Sequence, residues 1–426
     1  MPDQSLAPPA AGHPAAGTAD ADSPDALKRR LRRTQRMRKL KAVGLTAPLF
    51  LFLLATFVLP IGDMLRRSVH DTELAAVWPR VAVAVAEWTD RSTVPPEHVF
   101  AALAADLRAS REERTLATAA RRLNYAVDNG RSLVFGTARG LPETSPDWRA
   151  TLTEADPRWA DPETWAAVEQ ASGPLTGFFL LAALDLRQAA DGAIASVPPS
   201  SAIYVTVLAR TFTVSIVVTG LCLLLGFPVA YLLASLPARI SNLLMIFVLL
   251  PFWTSLLVRT AAWVVLLQEQ GLINGAMLWL GIVDEPVRMI YNRIGVYIAM
   301  THILLPFMIL PLYSVMKGIP PHYVRAARSL GAPPATAFAR VYLPLVLPGV
   351  AAGSLLVFIL ALGYYITPAL VGGAADQMIS YFIAFYTSDS LNWGMAAALG
   401  AILLTATLVL YGVFNRLLGV DRIRLG

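Results

Sequence analysis

Cysteine and lysine are both scarce in this chain of 426 residues, and each scarcity excludes one kind of site. The single cysteine, Cys222, lies within an apolar run, so neither an intrachain disulfide nor a cysteine-based metal cluster can form. The four lysines are Lys28, Lys39, Lys41 and Lys317, and none stands in a GxxxxGK(S/T) loop. The sequence therefore predicts no metal site and no nucleotide bound through a phosphate loop of its own.

Charged residues are also few, at 15% of the chain, whereas a soluble domain has roughly 25%. Hydrophobic residues make up 56%, which indicates an integral membrane protein. Nine basic and no acidic residues fall in Lys28–Lys41, and subtracting them from the net charge of +6 leaves −3 for the remainder. The basic composition belongs to one segment, so the sequence predicts no nucleic-acid partner.

The N-terminal region begins with a segment rich in Ala, Pro, Gly and Asp, residues 1–27, which favours a disordered tail. The basic segment then abuts Ala42–Ile61, an apolar run long enough to span a bilayer. A cleaved signal peptide is disfavoured, because the leader is too long and no small-x-small site precedes Arg66 and Arg67. The cations beside this first span predict a cytoplasmic N-terminus.

Residues 66–200 have a different character, with 18 of the 29 acidic residues, 14 arginines and no lysine. Helical periodicity over 98–127 predicts a mostly helical extracytoplasmic insert. Within it, 177–186 is too short to span and contains Asp185, so we expect a buried or interfacial helix there.

Beyond the insert the chain returns to long apolar runs, which predict five further spans. These runs are Ile203–Leu233, Leu243–Leu267, Ile294–Met316, Leu345–Val371 and Met395–Leu418. Counted from a cytoplasmic N-terminus, six spans place the basic loops and the C-terminus inside and the acidic insert outside, in agreement with the positive-inside rule. The sequence thus predicts an all-α membrane protein with six transmembrane helices and both termini in the cytoplasm.

The predicted organisation has four parts. They are a disordered tail with a basic cytoplasmic segment (1–41), the first transmembrane helix (42–65), the extracytoplasmic insert (66–200), and a core with five transmembrane helices (201–426) that contains a cytoplasmic loop (317–344).

Two features inside the spans allow more than one interpretation. Arg259 lies well within the third span, where an arginine costs roughly 2.5–3.5 kcal/mol on insertion scales unless it is paired or reaches the interface. It either faces the bundle interior or extends outward to lipid headgroups. Gly349 and Gly353 form a GxxxG pair that permits close helix approach, for packing alone or for gating of a pathway.

The stretch Lys317–Pro348 is a polar, arginine-bearing island between two apolar runs. Pro320 and Pro321 favour a helix start, and Gly331 with the prolines that follow it favours a helix end. We expect a short helix at the cytoplasmic membrane surface. Because the chain lacks a phosphate loop, the energy for any movement would come from a partner protein. A short helix at the membrane surface could be the contact with that partner.

Part of this island, YVRAARSLGAPPATAFARVYLPLVLPG, resembles the cytoplasmic loop of membrane subunits in binding-protein-dependent ABC importers. The family's signature reads Glu-Ala-Ala, three residues, Gly, and farther on Leu-Pro. The matching residues are Ala326, Ala327, Gly331, Leu343 and Pro344. Arg325 stands where the family usually has glutamate, so the role of that acid does not carry over.

The resemblance extends over roughly residues 203–418. PFWTSLLVRTAAW (251–263), GLINGAMLWLGI (271–282) and YYITPALVGG (364–373) resemble the spermidine/putrescine (polyamine and opine) type, particularly its first membrane subunit. It implies a type I permease architecture in a bacterial cytoplasmic (inner) membrane. It also implies a second permease subunit in a heterodimer, ATPase subunits beneath, and a solute-binding protein outside. ATP would be bound by the partner, with no cofactor in this chain.

Two sets of candidate site residues follow. The ATPase-coupling set, in and after the predicted short helix, is Tyr323, Arg325, Ala326, Ala327, Leu330, Gly331, Leu343 and Pro344. The candidate translocation-path set, within the spans, is Arg259, Trp263, Tyr364, Tyr365 and Thr367. No catalytic residue is predicted.

Two other function classes remain as alternatives. An ion-coupled secondary transporter acting alone would need ionisable groups near the midplane, and the predicted spans contain hardly any acids. A membrane-bound enzyme or sensor using the insert would need clustered chemistry, but the histidines are far apart and form no HExxH pattern. They are His13, His70, His98, His302 and His322.

The sequence leaves two kinds of substrate open, a cation and an anion or zwitterion. The resemblance favours polyamines, and aromatic residues such as Trp263, Tyr364 and Tyr365 suit a cation, although they also suit a membrane interface. Arg259 would repel a cation along its path, so an amino-acid-derived anion or zwitterion is the alternative.

Overall fold

The computed structural model describes residues 24–91 and 93–418, with side chains described over 34–91 and 93–416. Most of the predicted disordered tail therefore lies outside the described residues. Its last four residues, 24–27, are the start of the first helix. The described chain is mostly helical, as predicted.

The helices fall into three successive groups. The first run contains α1 (Pro24–Leu53) and α2 (Leu59–Arg67). The insert contains α3 (Glu73–Val77), α4 (Pro79–Val85), α5 (Glu97–Glu112), α6 (Leu116–Leu123), α7 (Gly130–Gly140), α8 (Trp148–Ala155), α9 (Pro162–Ser172) and α10 (Phe178–Ala182). The bundle contains α11 (Tyr204–Ser235), α12 (Ala238–Leu249), α13 (Leu256–Leu266), α14 (Leu272–Trp279), α15 (Arg293–Gly318), α16 (His322–Ser329), α17 (Pro334–Ala337), α18 (Leu343–Leu362), α19 (Ile366–Val371), α20 (Ile379–Ser388) and α21 (Trp393–Leu418).

Among the described residues, five helical runs are long and apolar enough to cross a membrane. They are Thr34–Arg67, Tyr204–Ser235, Arg293–Gly318, Pro334–Leu362 and Trp393–Arg416. A sixth span is available if Ala238–Trp253 and Leu256–Leu266 are counted together. The predicted all-α membrane fold with six spans is confirmed on this count.

Two of the predicted spans are broken in the structure. The third, expected to be continuous over Leu243–Leu267, bends by 96° between Trp253 and Leu256. Pro251 has no amide hydrogen, and the Thr254 hydroxyl donates to its carbonyl at 2.9 Å, which gives the backbone a local alternative to the helix.

The fifth span, expected over Leu345–Val371, also ends early. Helix α18 stops at Leu362, and the chain turns at Gly363 before it forms α19. A helix continuing through Pro368 would bring the proline ring against the carbonyl of Tyr364, so the break lies ahead of this proline.

Two π-helical turns accompany prolines that remain inside long helices. The turns are Leu54–Val58 and Phe338–Tyr342, and each ends two residues before a proline, Pro60 or Pro344. Because proline cannot donate to the carbonyl four residues earlier, the regular hydrogen-bond ladder is interrupted at both positions. A wider turn absorbs the interruption and lets the helix continue.

Helices α11, α15 and α18 form the centre of the bundle. The GxxxG pair of α18 lies directly on α15. A Cβ atom added at Gly353 would be 2.8 Å from the Met308 sulfur, and one at Gly349 would be 3.0 Å from the Val315 Cβ. Both glycines therefore serve close helix packing in this structure.

The insert has its own core, built around tryptophans. Trp78, Trp159 and Trp165 are fully buried, and the Trp165 ring lies edge-on to Phe100 with centroids 4.7 Å apart. Its only described strands pair as an antiparallel hairpin, β1 (Leu186–Gln188) with β2 (Ile194–Ser196), in which Arg187 is opposite Ala195. The largely helical insert is as predicted.

The two ends of the insert meet before the chain enters the bundle. His70 forms a bridge with Leu175, and the Thr176 amide donates to the Val69 carbonyl at 2.8 Å. Asp71, next to this bridge, accepts from the guanidinium of Arg122, which is 1% exposed. A domain whose ends are adjacent can be inserted without displacing the helices on either side of it.

The insert is attached to the bundle at α10 and the turn after it. Phe179 is buried against α21, where a Cβ atom at Gly394 would be only 2.3 Å from its ring. The Asp185 carboxylate accepts from the amides of the residues that open α11, Ile203, Tyr204 and Val205. The expected buried or interfacial helix at 177–186 is confirmed as α10.

Replacing Asp71 with alanine is expected to destabilise the insert strongly. The Arg122 guanidinium would stay buried over the rings of Phe178 and Phe179 with no counter-charge, at about 3–5 kcal/mol. Heating the full chain in detergent while recording tryptophan fluorescence should give a transition lowered by roughly 10 °C.

Two matched variants complete this experiment. Glu73→Gln removes the half-exposed pair with Arg121 and should change the free energy of unfolding by about 1 kcal/mol or less. The double variant Asp71→Leu with Arg122→Met should recover most of the loss, because no charge is left buried. A transition for Asp71→Ala as high as that for Glu73→Gln would contradict the assignment.

Candidate coupling helix and membrane pathway

Helix α16 lies between two spans of the bundle, α15 and the run that leads into α18. It starts directly after Pro321, and the amides of Tyr323 and Arg325 donate to the carbonyls of Pro320 and Pro321, both at 3.3 Å. The predicted short helix is therefore present, one residue earlier at each end than the stretch Tyr323–Leu330 that suggested it.

The C-terminus of α16 is fixed by Gly331, whose φ is +89°. The Gly331 amide donates to the Arg328 carbonyl at 3.0 Å, and the Ala332 amide donates to the Ala327 carbonyl at 3.1 Å. This pair of bonds is the Schellman arrangement, which requires a left-handed residue at the glycine position. The glycine is needed for its backbone conformation, since a Cβ atom there would meet nothing within 4 Å.

The outward side of α16 carries most of the predicted coupling residues. Tyr323 and Leu330 are 47% and 89% exposed, and Arg325 and Ala326 are also exposed. Ala327 is half-buried, so it lies at the edge of the exposed face expected for it. An almost fully exposed leucine beside a tyrosine on a polar loop is typical of a surface that a partner covers.

The inward side of α16 rests on the bundle through residues that the sequence did not single out. Val324 packs against the bundle core together with Phe338. The Phe338 ring stacks on Tyr342 with centroids 5.6 Å apart, and Tyr231 of α11 lies edge-on to Tyr342 at 5.5 Å. This aromatic group, Tyr231, Phe338 and Tyr342, joins the loop to two spans at once.

Leu343 and Pro344, the last two predicted coupling residues, follow this aromatic group at the start of α18. Leu343 is half-buried and Pro344 is exposed. They lie at the end of the π-helical turn, so they fix the direction in which α18 leaves the loop and do not belong to the face of α16 itself.

The predicted pathway residues gather where α13, α15 and α19 meet. The Trp263 indole donates to Nδ1 of His302 at 3.1 Å, and the hydroxyls of Thr260 and Thr367 are 3.1 Å apart in a fully buried pair. His302 and Thr260 were not among the pathway residues predicted from the sequence. A lone histidine and a lone threonine in apolar runs carry no pattern that distinguishes them.

Arg259 adds a positive charge to the same region. Its side chain is half-buried, and Nε is enclosed by protein with no hydrogen-bond partner among the described residues. The guanidinium is near enough to His302 and Tyr364 for its charge to act on both. This position favours the bundle interior over extension to lipid headgroups. Tyr365 is separate, with 41% of its surface exposed.

Comparison with known proteins identifies the family of this chain. Residues 224–419 match the family described as binding-protein-dependent transport system inner membrane component. The spermidine/putrescine transport system permease protein PotB of Salmonella typhimurium (strain SL1344) is 36% identical over 219 residues, which are 51% of this chain and 76% of that protein. PotB of Escherichia coli (strain K12) is likewise 36% identical, over 80% of its length.

A chain of the crystal structure of a bacterial alginate ABC transporter, in complex with a periplasmic protein bound to an alginate pentasaccharide, aligns with a TM-score of 0.41 at 20% identity. The alignment covers 50% of this chain and 77% of that chain.

The family match lies within the bundle and does not include the insert. These matches confirm the resemblance stated from the coupling loop and give no support to a transporter that works alone. With relatives that are 36% identical over three quarters of their length, this chain belongs to the family of inner membrane components of binding-protein-dependent transport systems, as a multi-pass permease subunit of an ABC importer and not an enzyme.

Proposed function

We propose that this permease imports a polyamine such as spermidine or putrescine, and that a separate ATPase subunit drives it by binding α16. The observation that carries the coupling is the geometry of α16, a short helix with an exposed apolar face and a glycine-fixed end. The substrate class is supported by the relatives named as spermidine/putrescine permeases. ATP is bound by the partner, and this chain holds no cofactor.

The coupling role rests on how α16 is held. Its outward face offers Tyr323 and Leu330 to a partner, while Val324 and the aromatic group hold its inward face against the bundle. Because these packed side chains connect α16 to the bundle, a displacement of α16 also displaces the spans on which it packs. Closure of the ATPase then moves α16 together with α11 and α18 as one body.

The complete transporter in this proposal contains three further kinds of subunit. ATPase subunits bind on the cytoplasmic side, a second and different permease subunit completes the pathway, and a solute-binding protein delivers substrate outside. A second subunit is supported by the broken span, since α13 leaves Leu257, Val258 and Val265 more than half exposed beside the candidate pathway.

The pathway of the proposal runs past the junction of α13, α15 and α19. Trp263 and Tyr364 supply aromatic faces that attract an ammonium group. The positive charge of Arg259 repels an ammonium group. A solute that carries a carboxylate is therefore the second candidate substrate. The unpartnered Nε of Arg259 is the observation that favours it.

Replacement of Gly331 tests the coupling. Gly331→Val puts a β-branched residue at a positive φ, which costs about 1–2 kcal/mol and should loosen the end of α16. In proteoliposomes that hold the assembled complex, ATP-driven spermidine uptake should fall about tenfold, since 1.4 kcal/mol corresponds to a factor of ten.

Gly331→Asn is the matched control, because asparagine tolerates the left-handed conformation and its side chain would also be exposed. Uptake should stay within about twofold of the wild-type rate. Equal losses in both variants would indicate that the surface of residue 331 matters and its conformation does not. Uptake by this chain in the absence of any ATPase subunit would contradict the proposal as a whole.

Arg259→Gln distinguishes the two candidate substrates. Removing the positive charge lowers the electrostatic barrier to a cation, so spermidine uptake should be equal to or faster than that of the wild type. The exposed Arg239 at the start of α12 gives the control variant, Arg239→Gln, which removes a charge far from the junction. For a solute that carries a carboxylate, a tenfold loss of uptake in Arg259→Gln and not in Arg239→Gln would mean that Arg259 binds an anionic group of the substrate.

A further inference from the structure

A cleft of about 650 Å³ lies between the insert and the outer ends of the bundle helices. From the insert it is lined by residues around the end of α6, the start of α9, and α10. From the bundle it is lined by the first residue of α11 and by the chain around the end of α20 and the start of α21. Its size is that of a small-molecule site, for which 300–1,000 Å³ is usual.

Four aromatic rings line this cleft, Tyr125, Phe178, Tyr204 and Tyr386. The hydroxyls of Tyr204 and Tyr386 are hydrogen-bonded to each other, and their ring centroids are 6.4 Å apart. The Tyr125 hydroxyl is buried without a hydrogen-bond partner among the described residues. The rings offer apolar faces that also attract positive charge.

The cleft also carries an excess of negative charge. Its acidic residues are Asp128, Asp161, Glu163 and Asp185, and its basic residues are Arg158 and Arg187. Two of the acids are already engaged. Asp185 accepts from three amides at the start of α11, and Glu163 faces Arg187 at 3.8 Å.

Arg158 does not neutralise the remaining acids. Its guanidinium donates twice to Asp156, at 3.0 and 2.7 Å, and Asp156 is not part of the cleft lining. Its Nη1 donates to the backbone carbonyls of Asp128 and Asn129, at 2.8 and 3.2 Å, and not to a carboxylate of the cleft. These bonds hold the pKa of Asp156 below its usual value. Asp128 has no side-chain bond among the described residues, and Asp161 uses only Oδ1, for the Glu163 amide. Two carboxylates in the cleft are therefore uncompensated.

We infer that this cleft binds an elongated organic cation of the diamine or polyamine class, with one ammonium at Asp128 and Asp161 and its methylene chain along the four rings. The inference rests on the proposed function for its substrate and deepens it by adding a binding site outside the bundle. Such a site holds substrate next to α11 and α20 before it enters the pathway.

Other ligand classes match the cleft less well. An anion is repelled by the two free carboxylates. A hard metal cation needs six or more oxygen ligands close together, and no group of three or more acidic, histidine or cysteine side chains among the described residues is arranged to hold one. A neutral apolar molecule would use the ring faces but would gain nothing from the two free carboxylates, which are exposed to solvent. A flexible cation with apolar spacers satisfies all of these groups.

Direct binding to the assembled complex, in nanodiscs without the solute-binding protein and without ATP, tests the inference. Radiolabelled spermidine is the probe. In the double variant Asp128→Asn with Asp161→Asn, the dissociation constant should rise at least tenfold. Asparagine caps a helix as well as aspartate does, so the second substitution preserves the start of α9. Tyr386→Leu should also weaken binding, whereas Tyr386→Phe, which keeps the ring, should leave it within about threefold.

The control double variant, Glu143→Gln with Glu154→Gln, removes two exposed acids elsewhere on the insert and should bind as the wild type does. Unchanged binding in Asp128→Asn with Asp161→Asn, or an equal loss in the control, would overturn the cleft assignment. Equally tight binding of a dicarboxylate of the same length would overturn it as well.

Different results contradict the cleft assignment and the proposed function. Wild-type complex that imports spermidine with ATP, while the cleft variant binds spermidine normally, contradicts only the cleft. Wild-type complex that binds spermidine in the cleft but never imports it contradicts the proposed function and leaves the binding site standing. Loss of both binding and uptake in the cleft variant, with an unchanged thermal transition, supports both.

Discussion

Every backbone amide and carbonyl in the membrane part of this chain must be paired within protein, because lipid offers no hydrogen-bond partner. Each proline removes one backbone N–H donor, so a proline within a span interrupts the hydrogen-bond ladder of the helix. Where the chain keeps the helix, as before Pro344, a π-helical turn absorbs the mismatch. Where it does not, the helix breaks, with a bend of 96° after Pro251 and a turn at Gly363 ahead of Pro368. These breaks coincide with the candidate functional regions.

The breaks divide the bundle into a fixed part and an exposed part. Helices α11, α15 and α18 pack closely, with Gly349 and Gly353 bringing two of them into contact. The shorter helices α13, α16 and α19 lie around this centre. Of these, α16 is held from one side by the stacked rings of Phe338 and Tyr342, and its other side is open. A movable partner on that open side would act on the packed centre through a rigid connection.

The insert extends the chain outward without disturbing the bundle. Its ends are joined next to His70 and Leu175, and Asp185 ties its last turn to the start of α11. Its own core is closed around three tryptophans and a buried pair, Asp71 with Arg122. The cleft lies where this second core meets the bundle.

The sequence predicted the elements that depend on local chemistry. Gly331 and the prolines around it predicted α16 within one residue at each end, and apolar length predicted the spans. It failed at the 96° bend, because Thr254 and Ser255 sit in an apolar run whose average hydropathy conceals the break.

Contacts between residues far apart in the chain could not be predicted from the sequence. Tyr204 and Tyr386 are 182 positions apart, and no periodicity relates them. The bonding of Trp263 to His302 joins two separate spans in the same way. The sequence could therefore name Trp263 as an aromatic candidate but could not supply its partner.

Site-specific cross-linking from α16 tests the central claim most directly, that a partner ATPase acts on this helix. The chain allows it, since Cys222 is buried and Cys222→Ser leaves a background free of cysteine. A single cysteine at the exposed Leu330 should cross-link to the ATPase subunit, with a yield that changes when ATP is added. A cysteine at the exposed Thr144 of the insert should give no such product. An intact complex in which Leu330→Cys never reaches the ATPase would contradict the claim.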